Sequence, residues 1–152
     1  MRDQSYTIVF TVDQSLEDVF DAINDVQGWW TENIEGSSQK LNDEFEVRFG
    51  DVHYSKQKLI ELIPYKKIVW FVTDSKLNFV KDKSEWTGTR IVFEIAEYGT
   101  KTELRFTHVG LTPRYECYGA CSNVWCNYIN NSLKGLITTG IGQPAGKEEV
   151  NS

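Results

Sequence analysis

The sequence predicts a single α+β domain in which an antiparallel sheet folds over a long C-terminal helix. Segments of apolar alternation recur along the chain, from "YTIVFTV" near the start to "TELRFTHVGL". After the first of these segments, and again near the C-terminus, the period changes from two to that of a helix. The length, 152 residues of which 40% are hydrophobic, suits one substantial core. A run of antiparallel strands must bury one face, and an amphipathic helix is the natural cover.

In the first strand Tyr6, Ile8, Phe10 and Val12 share a face. "DQSLEDVFDAINDV" then sets Leu16, Val19, Phe20 and Ile23 at helical spacing. Ser15, with Asp18 three residues on, resembles a capping pattern. A helix is therefore expected over about residues 15 to 25, broken by Gly28 just before the pair Trp29 and Trp30. Alternation returns in "EFEVRF", and Gly50 with Asp51 suits a hairpin turn into "VHYSKQKLIELI". Pro64 and Tyr65 mark the next turn, before "KIVWFVTD". A less regular stretch carries Leu77, Phe79 and Trp86, and the strands "TRIVFEIAEY" and "TELRFTHVGL" meet around Gly99 and Thr100. The expected order is strand, helix, short helix, five strands and a final helix.

That final helix, over about residues 115 to 138, gathers Tyr118, Cys121, Trp125, Tyr128, Ile129, Ser132 and Leu136 on one face. Asn123, Asn127, Asn130 and Lys134 lie opposite. Asn130, Asn131 and Ser132 are poor helix formers, so packing must hold this helix. Gly140 ends it, and a frayed tail is expected from Pro144.

The order of elements, "SLEDVFDAI" after the first strand, the pair "GTRIVFEI" and "TELRFTHVGL", and the closing amphipathic helix resemble the SRPBCC or START-like superfamily, over roughly residues 5 to 140. Within it the chain is most similar to the branch named after the activator of the heat-shock-protein-ninety ATPase. The resemblance implies a helix-grip fold, shared with the birch-pollen allergen family and lipid-transfer START domains. A curved antiparallel sheet of about six strands grips the C-terminal helix, with one or two short helices after strand 1 and a cavity between sheet and helix. One such domain is expected over 1–143, with a flexible tail over 144–152. The resemblance implies no single chemistry, because the fold carries ligand carriers, cyclases, hydrolases and co-chaperone-like domains.

Strand parity then picks out cavity candidates. Leu104, Phe106 and His108 share a face, as do Phe45, Val47 and Phe49, and Ile91, Phe93 and Ile95. Trp70 and Phe71 lie in a strand apolar on both parities, which leaves the choice between them open. The candidates for the ligand site are Trp30, Phe49, Trp70, Phe79, Trp86, Phe106 and His108, facing Cys121, Trp125, Tyr128 and Ser132 of the helix. Adjacent residues point in different directions, so one ring of the Trp29–Trp30 pair is expected to seal the core and the other, taken as Trp30, to line the cavity mouth. An aromatic cavity with a few polar handles suits a small, largely apolar molecule.

Other chemistries are weaker. Cys117, Cys121 and Cys126 fall within ten residues, an odd and local set that reads as reduced thiols. Cys117 and Cys121 share a helical face that His108 could join. Zinc would usually need a fourth ligand, and no CxxC pair is present, so no metal is assigned. Cys121 with His108 lacks an oxyanion motif, and Asp51 and His53 are explained by a solvated hairpin, so no catalytic residue and no cofactor are assigned. The net charge of −6 disfavours nucleic acid. The basic cluster around Lys56, Lys58, Lys66 and Lys67 reads as solvated strand edges. No apolar run approaches the ~18 residues of a membrane span, and the start lacks the apolar core of a secretion signal, so the cytoplasm is the expected location.

The leading expectation is a soluble intracellular binding protein for a small apolar ligand under the C-terminal helix. One alternative is an enzyme in the same cavity, with His108 as acid or base beside Tyr128. The other is a co-chaperone-like interaction domain with a chaperone partner. The sequence leaves the oligomeric state open.

Overall fold

The computed structural model describes residues 6–31, 33–49, 53–77, 86–111 and 118–144. β1 (Tyr6–Val12) leads into α1 (Leu16–Asn24) and the single turn α2 (Val26–Trp29). Six strands follow: β2 (Ile34–Gly36), β3 (Glu44–Phe49), β4 (His53–Ile63), β5 (Lys67–Leu77), β6 (Arg90–Tyr98) and β7 (Lys101–Val109). The C-terminal helix over 118–139 comprises α3 (Tyr118–Asn127), a π-helical segment (Tyr128–Leu133) and α4 (Lys134–Thr139). The sheet order is β1-β7-β6-β5-β4-β3-β2, antiparallel throughout, so the first strand pairs with the last, Tyr6 opposite His108. β2 makes seven strands where about six were expected. Its three residues are too few to show alternation, and it stands on the edge with Ile34 opposite Val47.

Local chemistry explains the helices. Asp18 N–H donates to Ser15 Oγ at 3.0 Å, closing the N-terminus of α1, and Glu17 and Asp18 complement its dipole. Val19, Phe20, Ala22 and Ile23 are buried. Gly28 does not break the chain. It lies inside α2, where a Cβ would strike the Asp25 carboxylate and press Leu136 Cδ2 at 3.1 Å. The missing side chain lets α2 lie close against the C-terminal helix.

Two register shifts on β4, at Lys56/Gln57 and Leu59/Glu61, mark bulges against β5, the local device that bends and twists a sheet. Across the first, Lys56 pairs with Asp74 and Gln57 with Val72, so Thr73 is an extra residue and the parity of β5 changes. Ile68, Trp70 and Val72 are buried before it, Ser75 and Leu77 after it. This decides between the two open positions: Trp70 is fully buried and Phe71 half-buried.

The π-helical segment has a similar effect on the C-terminal helix. A wider turn carries one extra residue, which rotates everything beyond it by about 100°. The buried set therefore passes from Cys121, Trp125 and Ile129 to Ser132, Leu133 and Ile137. Leu136, expected on the buried face, is half-buried as a result. The expected helix start near residue 115 lies outside the described residues.

Candidate functional site

Six of the sequence-predicted residues meet in one aromatic assembly between the sheet and the C-terminal helix. Trp30 lies 5.0 Å from Trp125 and 5.8 Å from Trp70, ring centre to ring centre. Trp125 in turn stacks on Trp86 at 5.7 Å, packs on Phe106 at 4.7 Å and lies 5.9 Å from the His108 ring. All six of these side chains are buried.

Trp30 sits inside this assembly, and so does its neighbour. Both indoles are fully buried and nearly parallel, 6.1 Å apart at 15°. The expectation that adjacent rings diverge holds within regular elements, but α2 ends at Trp29 and both rings turn inward. Trp29 Nε1 donates to Ile23 O at 3.1 Å, which ties it to α1.

His108 is fully buried, and its hydrogen bonds define its protonation. Trp125 Nε1–H can only donate, so His108 Nδ1 accepts at 3.0 Å. Thr89 spends its one hydroxyl proton on Trp86 O at 2.6 Å, so His108 Nε2–H donates to Thr89 Oγ1 at 2.8 Å. Both nitrogens are satisfied in the neutral ring, by an indole and a hydroxyl. Burial, reinforced by nearby His53, holds the pKa down to about 3.

Of the remaining candidates, Cys121 is buried, and Tyr128 is half-buried with its hydroxyl pKa pushed up by burial. Ser132 is a structural tie: its hydroxyl donates to Trp29 O at 2.6 Å and accepts from Gln143 N–H at 2.7 Å. Phe49 ends β3, with its side chain outside what is described, and Phe79 and Cys117 lie outside the described residues. Among the described residues no three of His, Cys, Asp and Glu gather as a metal set. Cys126 is exposed, so a thiol reagent on the native protein should modify Cys126 quickly and spare Cys121. Peptide mapping reads the outcome, and equal rates would contradict the packing of α3.

Sequence reasoning missed an inward polar row on β4. His53, Ser55, Gln57 and Leu59 alternate inward, and Ser55 and Gln57 are fully buried. Gln57 Nε2 donates to Ser55 Oγ at 2.5 Å, and His53 Nε2 lies 3.0 Å from the same hydroxyl. The His53 ring does not face the solvated hairpin. It packs edge-on against Trp86 at 4.6 Å and Trp30 at 6.4 Å, and desolvation holds its pKa down to about 3. The usable signal was Leu59, the apolar member of that parity. It was hidden because the alternate positions, Lys56 and Lys58, are polar too.

Three enclosed atoms of this wall have no hydrogen-bond partner among the described residues: Gln57 Oε1, Trp70 Nε1 and Trp86 Nε1. A separate cleft of about 170 Å³ lies by α2 and β2, lined by Asn24, Gln27, Ser37, Ser38 and Gln39 among others. It contains none of the sequence-predicted residues.

With this geometry the chain can be set beside known proteins. No family profile and no curated relative matches the sequence. Solved structures do. The solution structure of the Aha1 dimer from Colwellia psychrerythraea superposes with a TM-score of 0.73 at 23% identity, covering 91% of this chain and 98% of that one. The chain has the helix-grip fold. DynU16, from the dynemicin biosynthetic locus, gives a TM-score of 0.66 at 14% identity, over 93% of this chain and 49% of its own. Protein SSP2350 from Staphylococcus saprophyticus gives 0.65 at 14% identity, over 93% and 96%. These likenesses agree with the superfamily resemblance in the sequence, and at such identities they speak for the fold. Among the described residues no helix is long and apolar enough to cross a membrane.

Proposed function

We propose that this protein binds a small, largely apolar ligand in the aromatic interior between sheet and C-terminal helix. The observation that carries the reading is the trio of enclosed atoms on the β4–β5 wall and Trp86 that have no partner among the described residues. Each costs the fold about 1–3 kcal/mol while it lacks a partner, and a bound molecule that supplies one recovers that energy. The surrounding rings already touch, so entry requires one to shift, and Trp86 is carried by a turn instead of a strand.

An enzyme using His108 as acid or base is less well supported, since both ring nitrogens are engaged and the ring is held neutral. A protein-interaction domain, with a chaperone as partner, draws on the likeness to the Aha1 structure and on exposed Ile60, Ile63 and Tyr65 around the β4–β5 turn. That reading needs no interior site.

Native mass spectrometry of protein purified from its own host tests the proposal, paired with titration of apolar ring compounds followed by tryptophan fluorescence and melting temperature. Binding predicts a discrete added mass and a saturable shift of both signals, stabilising by about 2.7 kcal/mol at a hundredfold excess over Kd. No added mass and no shift across the panel would favour the interaction domain.

A further inference from the structure

We propose that the cleft beside α2 and β2 is a binding site for a guanidinium group, a flat cation rich in N–H donors. The cleft shares no residue with the aromatic interior, so it stands or falls apart from the binding reading above.

Hydrogen bonds already made fix what the cleft has left to offer. The loop after β2 spends its side-chain donors on the protein itself. Ser38 Oγ–H donates to Asn24 O at 2.8 Å, and Gln39 Nε2 donates to the same carbonyl at 2.8 Å. Ser37 Oγ–H donates to the Asp43 carboxylate at 2.6 Å, and the backbone N–H groups of Gln39 and Lys40 reach the same oxygen at 3.1 and 2.9 Å. The Ser37 bond foremost holds the Asp43 carboxyl below its usual range, which keeps it an acceptor. A carbonyl and a carboxylate only accept, so the direction of each of these protons is settled. The Gln39 amide cannot be turned over, and its Oε1 is left as an acceptor.

The other side of the cleft is acceptor-rich as well. Asp25 stands at the N-cap position of α2, yet its side chain makes no capping hydrogen bond, and among the described residues no Lys or Arg pairs with it. Its carboxylate lies against Gly28, where a Cβ would strike it. Asn24, which also lines the cleft, is only 6% exposed, and its Oδ1 is enclosed with no hydrogen-bond partner among the described residues. A carbonyl oxygen in that condition calls for a donor, and a donor bound in the cleft supplies it.

One carboxylate and the carboxamides of Asn24, Gln27 and Gln39, with no Lys or Arg among the described residues that line the cleft, select a cation. The acceptors stand on both sides, Asp25 and Asn24 on one and Gln39 on the other. A guanidinium spreads its N–H groups in a plane, so two can engage the carboxylate while others reach across. An ammonium is a compact, strongly hydrated point charge that gives up more on leaving water. The volume of about 170 Å³ admits a guanidinium with its alkyl stem, and Ile34 and Val26 offer the stem apolar surface.

Four ligands separate charge from shape: Nα-acetylarginine amide, its neutral isostere Nα-acetylcitrulline amide, Nα-acetyllysine amide and methylguanidinium. Each is titrated against the full ¹⁵N-labelled chain. The arginine compound should move the backbone resonances of residues 24–27 and 36–39 along one saturable curve. It should bind at least about tenfold more tightly than the citrulline and lysine compounds, the factor of one charge-assisted hydrogen bond. Asp25→Asn should erase most of the preference over citrulline, and Gln39→Ala should independently weaken arginine binding. Both side chains are exposed, so the urea midpoints of these variants should stay close to that of the parent. Methylguanidinium binding as well as the arginine compound supports a free guanidino molecule as the ligand, and tighter binding of the arginine compound supports an arginine side chain of a polypeptide. Citrulline or lysine binding as tightly as arginine overturns the guanidinium assignment, and so does arginine binding undiminished in both variants. Unmoved cleft resonances at tens of millimolar arginine compound overturn the site altogether and leave the aromatic interior untouched.

Discussion

Lowering the pH from 7 to 5 should cost this protein up to about 4 kcal/mol of stability. His53 and His108 titrate near 6.5 in an unfolded chain and near 3 in the fold. Between those values the unfolded state binds more protons, so stability falls as pH falls through the window from about 6.5 down to about 3. It is present in full above the upper limit. Each histidine contributes a slope approaching 1.4 kcal/mol per pH unit, or about 2 kcal/mol by pH 5. Against the roughly 5–15 kcal/mol of an ordinary domain, the loss should move the urea midpoint far to the left. A midpoint equal at pH 7 and pH 5 would mean that the two rings are not held neutral by the interior.

Trp125→Ala should destabilise the fold by about 3–5 kcal/mol, the cost of removing a large ring from a packed core. Trp125 touches Trp30, Trp86, Phe106 and His108, so no single neighbour can close over the space. The same substitution removes the donor to His108 Nδ1 and frees that nitrogen to take a proton. A second consequence follows: the acid sensitivity of the variant should be shallower than that of the parent. Trp125→Phe retains most of the ring and loses the hydrogen bond, and should cost less than Trp125→Ala. Urea denaturation at pH 7 and pH 5 reads both effects. A loss below about 1 kcal/mol for Trp125→Ala would imply that the ring borders open space.

The sequence revealed most where local periodicity and global packing agree. The alternation of β1, β6 and β7, the helical spacing in α1 and its Ser15 cap all appear in the structure as read. Legibility failed at three irregularities that displace a pattern by one residue: the extra Thr73 in β5, the π-helical segment in the C-terminal helix, and the one-turn α2 that turns two adjacent tryptophans inward. The π-helical segment coincides with the poor helix formers Asn130, Asn131 and Ser132, but composition does not specify an offset of one residue. The aromatic part of the site was legible, since large apolar side chains on known parities have few places to go. Its polar part was not: Ser55, Gln57 and His53 resemble solvated strand residues, and only Leu59 on the same parity betrays which way they face.

The measurement that bears most directly on the proposed interior site is a titration of the uniformly ¹⁵N-labelled protein with the apolar ring compound that gives the largest thermal shift, following the indole N–H resonances. The indoles of Trp29 and Trp125 already donate, to Ile23 O and His108 Nδ1, whereas those of Trp70 and Trp86 have no acceptor among the described residues. Binding as proposed should move the Trp70 and Trp86 signals downfield as they acquire acceptors, along one saturable curve, and displace Trp29 and Trp125 far less. Unmoved Trp70 and Trp86 signals at saturating ligand, or shifts confined to residues of the outer surface, would contradict the account.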